Sequence, residues 1–344
     1  CQALNATMRG LALTLYRNVK DVEIIGFIDG YKGLMYEKYK KMKPKDFYDI
    51  LNVGGSILGN SRCPFKRMRI IENGFDKVKA MKNTYKKLEL DCLVVLGGNG
   101  SIKSANMLSQ EGLNVIALPK TIDNDAWGTD YTFGYSSATA IATRYLDEIK
   151  TTAASHSRVF VIEVMGHKVG HICLSAGIAA GADVILLPEI PYDIKVVAKK
   201  VKETLKNEKN YAIIACAEGA ISEADALMKR KDYKAKVLAR NGRSVAYEVA
   251  DELSQEIDAE IRVSCIGHAQ RGGNPDSYDR EISTRFGVEG ARLIIKKHYG
   301  EYVVLQGNHV THIPLEATAG KLKFVDTEGE IVQSAKLVGI SFGE

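Results

Sequence analysis

Short apolar runs of about five residues alternate along this chain with longer stretches whose apolar positions recur every three or four residues. The runs Val22–Phe27, Cys92–Leu96, Val115–Leu118, Val159–Ile162, Val184–Leu187, Tyr211–Ala215 and Ile261–Cys265 predict buried strands. Helical spacing is predicted up to Asn18, over 70–88, from Ser101 to Gln110, over 136–153, up to Ala180, over 193–207, over 243–257 and up to Lys297. A polar section over 221–242 reads as an excursion, and short strands near 302–305 and 311–313 close the pattern. Strands that are apolar on both faces and alternate with helices define an α/β protein with mostly parallel sheets. Open sheets of this kind bind ligands beyond the carboxyl ends of their strands, so polar clusters just after strands are the candidates for chemistry.

The chain has 344 residues and is 45% hydrophobic, enough for two lobes, with a boundary expected near 134–140. The net charge of +5 comes from well-mixed acids and bases with no long basic block, which gives no indication of nucleic-acid binding. The six cysteines, at 1, 63, 92, 173, 216 and 265, show no CxxC spacing, and several lie in apolar runs. That usage fits a reducing, cytoplasmic setting rather than a disulfide or zinc scaffold. No run approaches the ~18 apolar residues of a membrane span. The chain opens at Cys1 directly on a helical pattern, so a strand and a loop are expected before residue 1.

The most distinctive cluster is Pro119-Lys120-Thr121-Ile122-Asp123-Asn124-Asp125, just after the run 115–118. Two carboxylates stand beside a hydroxyl, an amide and an ammonium. A lone Asp-Asn-Asp is ordinarily a polar turn. Gly97-Gly98-Asn99-Gly100-Ser101 stands at a strand-to-helix junction, where glycines admit a close ligand and the helix N-terminus favours phosphate. The plainer reading is a tight turn capped by Ser101. Phosphoryl transfer to a hydroxyl needs a carboxylate base and charge stabilisation, and the two clusters together supply both. One Asp can be the base, and the other can hold Mg²⁺. Arg62, Lys66 and Arg67 form a basic set suited to polyphosphate or to solvent. His268 and Arg271 share a loop before two glycines. Arg158 precedes a strand and Arg262 lies within one, where an ion pair is the ordinary explanation. Glu218 stands at a strand end, and Met165-Gly166-His167 could form a ligand loop.

With those motifs in view, the chain resembles the 6-phosphofructokinase family essentially end to end. The residues that carry the resemblance are Asn5–Gly10, Asp29–Tyr31, Gly59–Pro64, Gly97–Ser101, Pro119–Asp125, Met165-Gly166 and Gly267–Gly273. It implies two Rossmann-like lobes, residues 1–134 with 270–320 and 135–269 with 321–344, and an active site in the cleft between them. It implies transfer of the γ-phosphoryl of Mg-ATP to the 1-hydroxyl of fructose 6-phosphate, the glycolytic step that gives fructose 1,6-bisphosphate. Asp123 would be the base, Asp125 and Asn99 would support Mg²⁺, and Lys120 and Thr121 would assist. Thr121, Ile122, Asp123, Met165, Gly166, His167, Glu218, His268 and Arg271 would line the sugar-phosphate site. Arg158 and Arg262 would reach into the site of a neighbouring subunit, making the protein a homodimer or homotetramer. Tyr31, Arg62, Cys63, Gly98, Asn99, Gly100 and Ser101 would form the donor site.

Several positions depart from the family pattern. A Gly-Gly-Asp segment is usual just before the position of Cys1. Asn99 stands where the family has Asp, and His167 where many members have Arg. Leu13 replaces an effector-site arginine of bacterial ATP-dependent members, so nucleotide allostery of that kind is not expected. Gly100 leaves room for the rest of ATP, whereas Lys120 is typical of pyrophosphate users. ATP is the expected donor because a steric and charge block is harder to bypass than a missing helper charge. Pyrophosphate is the alternative donor. A non-catalytic sugar-phosphate-binding subunit and a kinase of lipid or nicotinamide-nucleotide substrates are the alternatives of other classes. The loop from His268 to Gly273 argues against the last.

Overall fold

The computed structural model describes residues 2–207, 209–318 and 320–344; Cys1, one of the six cysteines, lies outside them. In chain order the elements are α1 (Leu4–Asn18), β1 (Ile24–Phe27), α2 (Tyr31–Met35), β2 (Tyr39–Met42), α3 (Lys77–Lys87), β3 (Leu93–Gly97), α4 (Asn99–Gln110) and β4 (Val115–Pro119). There follow α5 (Tyr135–His156), β5 (Val159–Val164), α6 (His171–Ala179), β6 (Val184–Leu186), α7 (Ile194–Asn207), β7 (Ala212–Ala217), α8 (Glu223–Ala226), α9 (Arg230–Ala239) and α10 (Val245–Leu253). The last are β8 (Ile261–Cys265), α11 (Ser277–Ile295), β9 (Glu301–Gln306), β10 (His309–Pro314) and α12 (Glu330–Leu337). The chain forms two compact units, Cys1–Ser137 with Arg271–Lys323, and Ala138–Gln270 with Phe324–Glu344.

The first unit is built on a sheet of order β10-β9-β4-β3. β3, β4 and β9 run parallel and β10 is an antiparallel edge. β4 is buried at every residue, as its unbroken apolar run predicts. On one face Ile116 and Leu118 pack with Phe133, Phe286 and Leu293. On the other, Val115 and Ala117 pack with Ile102, Leu108 and Tyr302. α1 lies against α11 at close range, because a Cβ at Gly287 would fall 2.3 Å from the Thr7 carbonyl oxygen and one at Gly10 2.7 Å from that of Thr284. One expected strand behaves differently from the rest. The run ending at Phe27 joins no parallel sheet but pairs antiparallel with β2, Ile24 opposite Met42. β2 escapes sequence reading because Lys40 and Lys41 are exposed, ion-paired to Asp46 and Glu23.

The second unit holds a wholly parallel sheet of order β6-β7-β5-β8. β7 is buried throughout. Val159, Val161 and Ile214 pack with Val197 and Val201 of α7 and with Val249 and Leu253 of α10. The polar section after residue 221 condenses into α8 and α9. Lys236 reaches Asp225 at 2.6 Å, and Arg240 grips Glu248 with two bonds of 2.6 and 2.8 Å. α12, which the sequence pattern did not single out, closes the unit with buried Val332 and Ala335. Among the described residues no helix is long and apolar enough to cross a membrane.

Asp279, at 0% exposure, ties α11 to the segment that enters α5. It accepts from the Tyr131 hydroxyl, the Gly134 and Ser137 amides and the Ser137 hydroxyl. Burial nevertheless raises its carboxyl pKa. Asp279→Ala leaves these buried donors unanswered and is expected to cost roughly 3 kcal/mol. Urea unfolding checks this; an unchanged midpoint contradicts it.

Candidate active-site residues

The carboxyl ends of β3 and β4 bring the two most distinctive motifs side by side. The Lys120 amide donates to the Gly97 carbonyl at 3.0 Å, so the chain leaves both strands in register. Gly98 caps α4 with extended backbone (φ −82, ψ −173), and no side chain caps the helix. Asn99, Gly100 and Ser101 therefore form the first turn of α4, with Ser101 inside the helix rather than at its cap. A Cβ at Gly100 would meet nothing within 4 Å, so the space before it is open. Tyr31 braces this turn by donating its hydroxyl to the Ser101 carbonyl at 2.7 Å.

The loop after β4 is held from several sides. Thr121 Oγ accepts from the Asp123 amide at 3.1 Å, fixing the backbone of Asp123. Asn124 takes a left-handed conformation (φ +54), which Asn tolerates, and buries its carbonyl oxygen against the Thr132 amide at 3.0 Å. Asn99 Nδ2 donates to Asp125 Oδ2 at 2.7 Å and so joins the two motifs. Asp125 is 7% exposed and Ile122 4%, which turns the Ile122 side chain into the interior. Lys323 binds the same loop through its amide on the Asp125 carbonyl and through Nζ on the carbonyls of Thr129 and Asp130, each at 2.9 Å.

Two lysines of this unit, Lys120 and Lys323, have their charged forms disfavoured. Burial pushes the Lys120 ammonium below its ordinary pKa, Arg271 pushes it further, and Asp123 partly restores it. Burial takes Lys323 to about 8, against the pull of Asp130 and Asp125. Arg62 is exposed and Cys63 half-buried against the core. Arg271 is also exposed.

In the second unit, Met165-Gly166-His167 forms a turn after β5. Glu218 Oε1, at the end of neighbouring β7, accepts from the Gly166 amide at 3.1 Å and from the His167 amide. His167 takes φ +56, and a Cβ at Gly219 would fall 2.5 Å from its carbonyl oxygen. Gln270, fully buried, accepts from the Met165 amide at 2.8 Å. His268 is exposed on the turn that ends there. Arg158 and Arg262 both contact Glu260, the former at 2.8 Å.

Sequence reading missed Gln270, Thr132 and Lys323. Gln270 lies inside the flagged run 267–273, but only the fold shows that it grips Met165. Nothing local marks Lys323, which lies about 200 residues from the loop it holds. The described residues contain no group of three or more His, Cys, Asp or Glu able to hold a metal. Asp125 with the Asn99 amide oxygen still suits a hard divalent ion that takes one or two protein ligands and fills the rest with phosphate and water.

These features belong to a recognisable class of α/β phosphotransferase. A family model described as phosphofructokinase matches residues 1–294, and the chain belongs to that family. It is 45% identical over 348 residues to the ATP-dependent 6-phosphofructokinase of Spirochaeta thermophila, covering 100% of this chain and 95% of that one. It is 41% identical to ATP-dependent 6-phosphofructokinase 3 of Bacteroides thetaiotaomicron, covering 100% and 97%. The phosphofructokinase structure from Saccharomyces cerevisiae superposes with TM-score 0.80 at 28% identity, over 92% of this chain and 44% of the yeast one. A pyrophosphate-dependent phosphofructokinase from Nitrosospira multiformis matches with TM-score 0.80 at 20% identity, over 96% and 85%, which shows the shared fold alone.

Folded Lys323 releases its proton near pH 8 and the unfolded chain near 10.5. Between those values the unfolded state binds more protons, so stability rises with pH. The stability of the parent protein minus that of Lys323→Met is expected to grow by roughly 2 kcal/mol between pH 7.5 and 10. Urea titrations at both pH values measure it; a flat difference contradicts it.

Proposed function

We propose that this protein is a 6-phosphofructokinase that transfers the γ-phosphoryl of ATP to the 1-hydroxyl of fructose 6-phosphate. The observation that carries the reading is the 2.7 Å bond joining Asn99, in the first turn of α4, to Asp125 in the Thr121–Asp125 loop. It sets a phosphate-binding helix terminus beside a carboxylate pair, in a chain 45% identical to an ATP-dependent 6-phosphofructokinase. The amides at the start of α4 bind donor phosphates, and Arg62 and Lys120 offset their charge. Asp123 accepts the proton of the sugar 1-hydroxyl as the phosphoryl arrives, its backbone fixed by Thr121. Asp125 and Asn99 would hold Mg²⁺, which would supply positive charge against the charge developing on the phosphates. Met165, Gly166, His167, Glu218, His268 and Arg271 bind the sugar phosphate, joined by Arg158 and Arg262 from a neighbouring copy in a homo-oligomer.

Asp123→Ala is expected to lower turnover by about 10²–10⁴-fold while sugar-phosphate binding largely survives. Unchanged turnover removes Asp123 as the base and favours a non-catalytic binding subunit.

Lys120 favours pyrophosphate as the second reading. ATP is preferred because the space before Gly100 is open. Assays of fructose 6-phosphate with each donor decide the matter, and turnover with pyrophosphate alone overturns the ATP reading. Gly100→Asp is expected to cut ATP turnover by at least about a hundredfold, since a like charge would face the nucleotide phosphates. The fold should tolerate the change, as no atom crowds that Cβ; circular dichroism of the variant checks this.

A further inference from the structure

Arg158, Glu260 and Arg262 lie on one face of the second unit's sheet, at its β8 edge. Register puts them there. Val159 pairs with Ile261 and Phe160 with Arg262, so residue 158 stands level with 260, and 260 and 262 share a face by the two-residue alternation of a strand. The Val159 amide donates to the Glu260 carbonyl at 3.0 Å and fixes that level. One Glu260 carboxylate oxygen then lies 2.8 Å from Arg158 Nε, and the other contacts an Arg262 terminal nitrogen. The two arginines with His156 hold the Glu260 carboxyl below its usual range, with the Arg158 bond foremost.

Two guanidinium groups converging on one carboxylate make the arrangement that also receives a phosphate monoester. We propose that Glu260 is an internal counter-anion that occupies this arginine pair and competes with the phosphate of the incoming sugar. The proposal rests on the reading above in which Arg158 and Arg262 bind that phosphate. Glu260 is thus a positioning residue. It keeps the guanidinium groups together when no phosphate is bound, and it weakens binding by the strength of the pairs that phosphate must replace. The side chains of Glu260 and Arg262 are 41% and 56% exposed, against 25% for Arg158, so the Glu260–Arg262 pair is solvated and yields readily to a dianion.

Glu260→Gln keeps size and hydrogen bonding and removes the charge. The expected result is a KM for fructose 6-phosphate lowered about 3- to 10-fold, the range that exposed ion pairs supply, with kcat unchanged within about twofold. The dependence of KM on salt should also steepen, because the pair then carries two unopposed charges. A merely structural Glu260 would shift the thermal unfolding midpoint without this split of KM from kcat. An unchanged or raised KM in Glu260→Gln overturns the proposal. Arg158→Ala and Arg262→Ala test the underlying reading separately. If both leave the KM for fructose 6-phosphate unchanged, that reading fails, whatever Glu260→Gln does. If both raise it, the reading stands and the Glu260→Gln result alone decides the role of Glu260. The double variant Glu260→Gln/Arg158→Ala should lose the gain seen in Glu260→Gln.

Discussion

A buried acidic loop survives in a protein only if its polar groups are answered, and the segment Thr121–Asp125 meets that constraint through distant parts of the chain. Asn99 answers Asp125 from α4, Thr132 answers Asn124 from the segment that leads into α5, and Lys323 answers the backbone from the far end of the first unit. The parallel sheet makes this possible. β3 and β4 end at one level, so their loops meet over a shared edge while fully apolar β4 anchors them below. The loop is therefore held in its shape by the chain's own contacts.

Charge is managed by the same economy of contacts. Lys120 and Lys323 are both half-buried cations with lowered pKa, and each lies near one of the two carboxylates. The Asn99 amide donates to Asp125, where a carboxylate in its place would repel it. In the second unit, Glu218 works in the opposite sense, spending an oxygen on two backbone amides to shape the Met165–His167 turn.

Much of this was legible in advance. Strands appear where five-residue apolar runs occur, and the motif residues fall just beyond them, because burial on both faces forces such runs into parallel sheets, the half-exposed run ending at Phe27 excepted. The errors have physical causes. Lys40 and Lys41 hide β2 because an exposed two-stranded ribbon needs no apolar alternation. Ser101 seemed a helix cap, but the backbone turns at Gly98, three residues earlier.

The sequence by itself determined the fold class and the chemical types at the strand ends, since these depend on local periodicity and on which side chains can accept protons or carry charge. Only the tertiary structure decided which of those groups hold one another. That Gln270 grips the Met165 amide, that Lys323 secures the Asp125 loop, and that Glu260 joins Arg158 to Arg262 all follow from pairings across strands or across many residues. Such pairings are set by sheet register and by the need to satisfy buried polar groups, and neither is written in the spacing of residues along the chain.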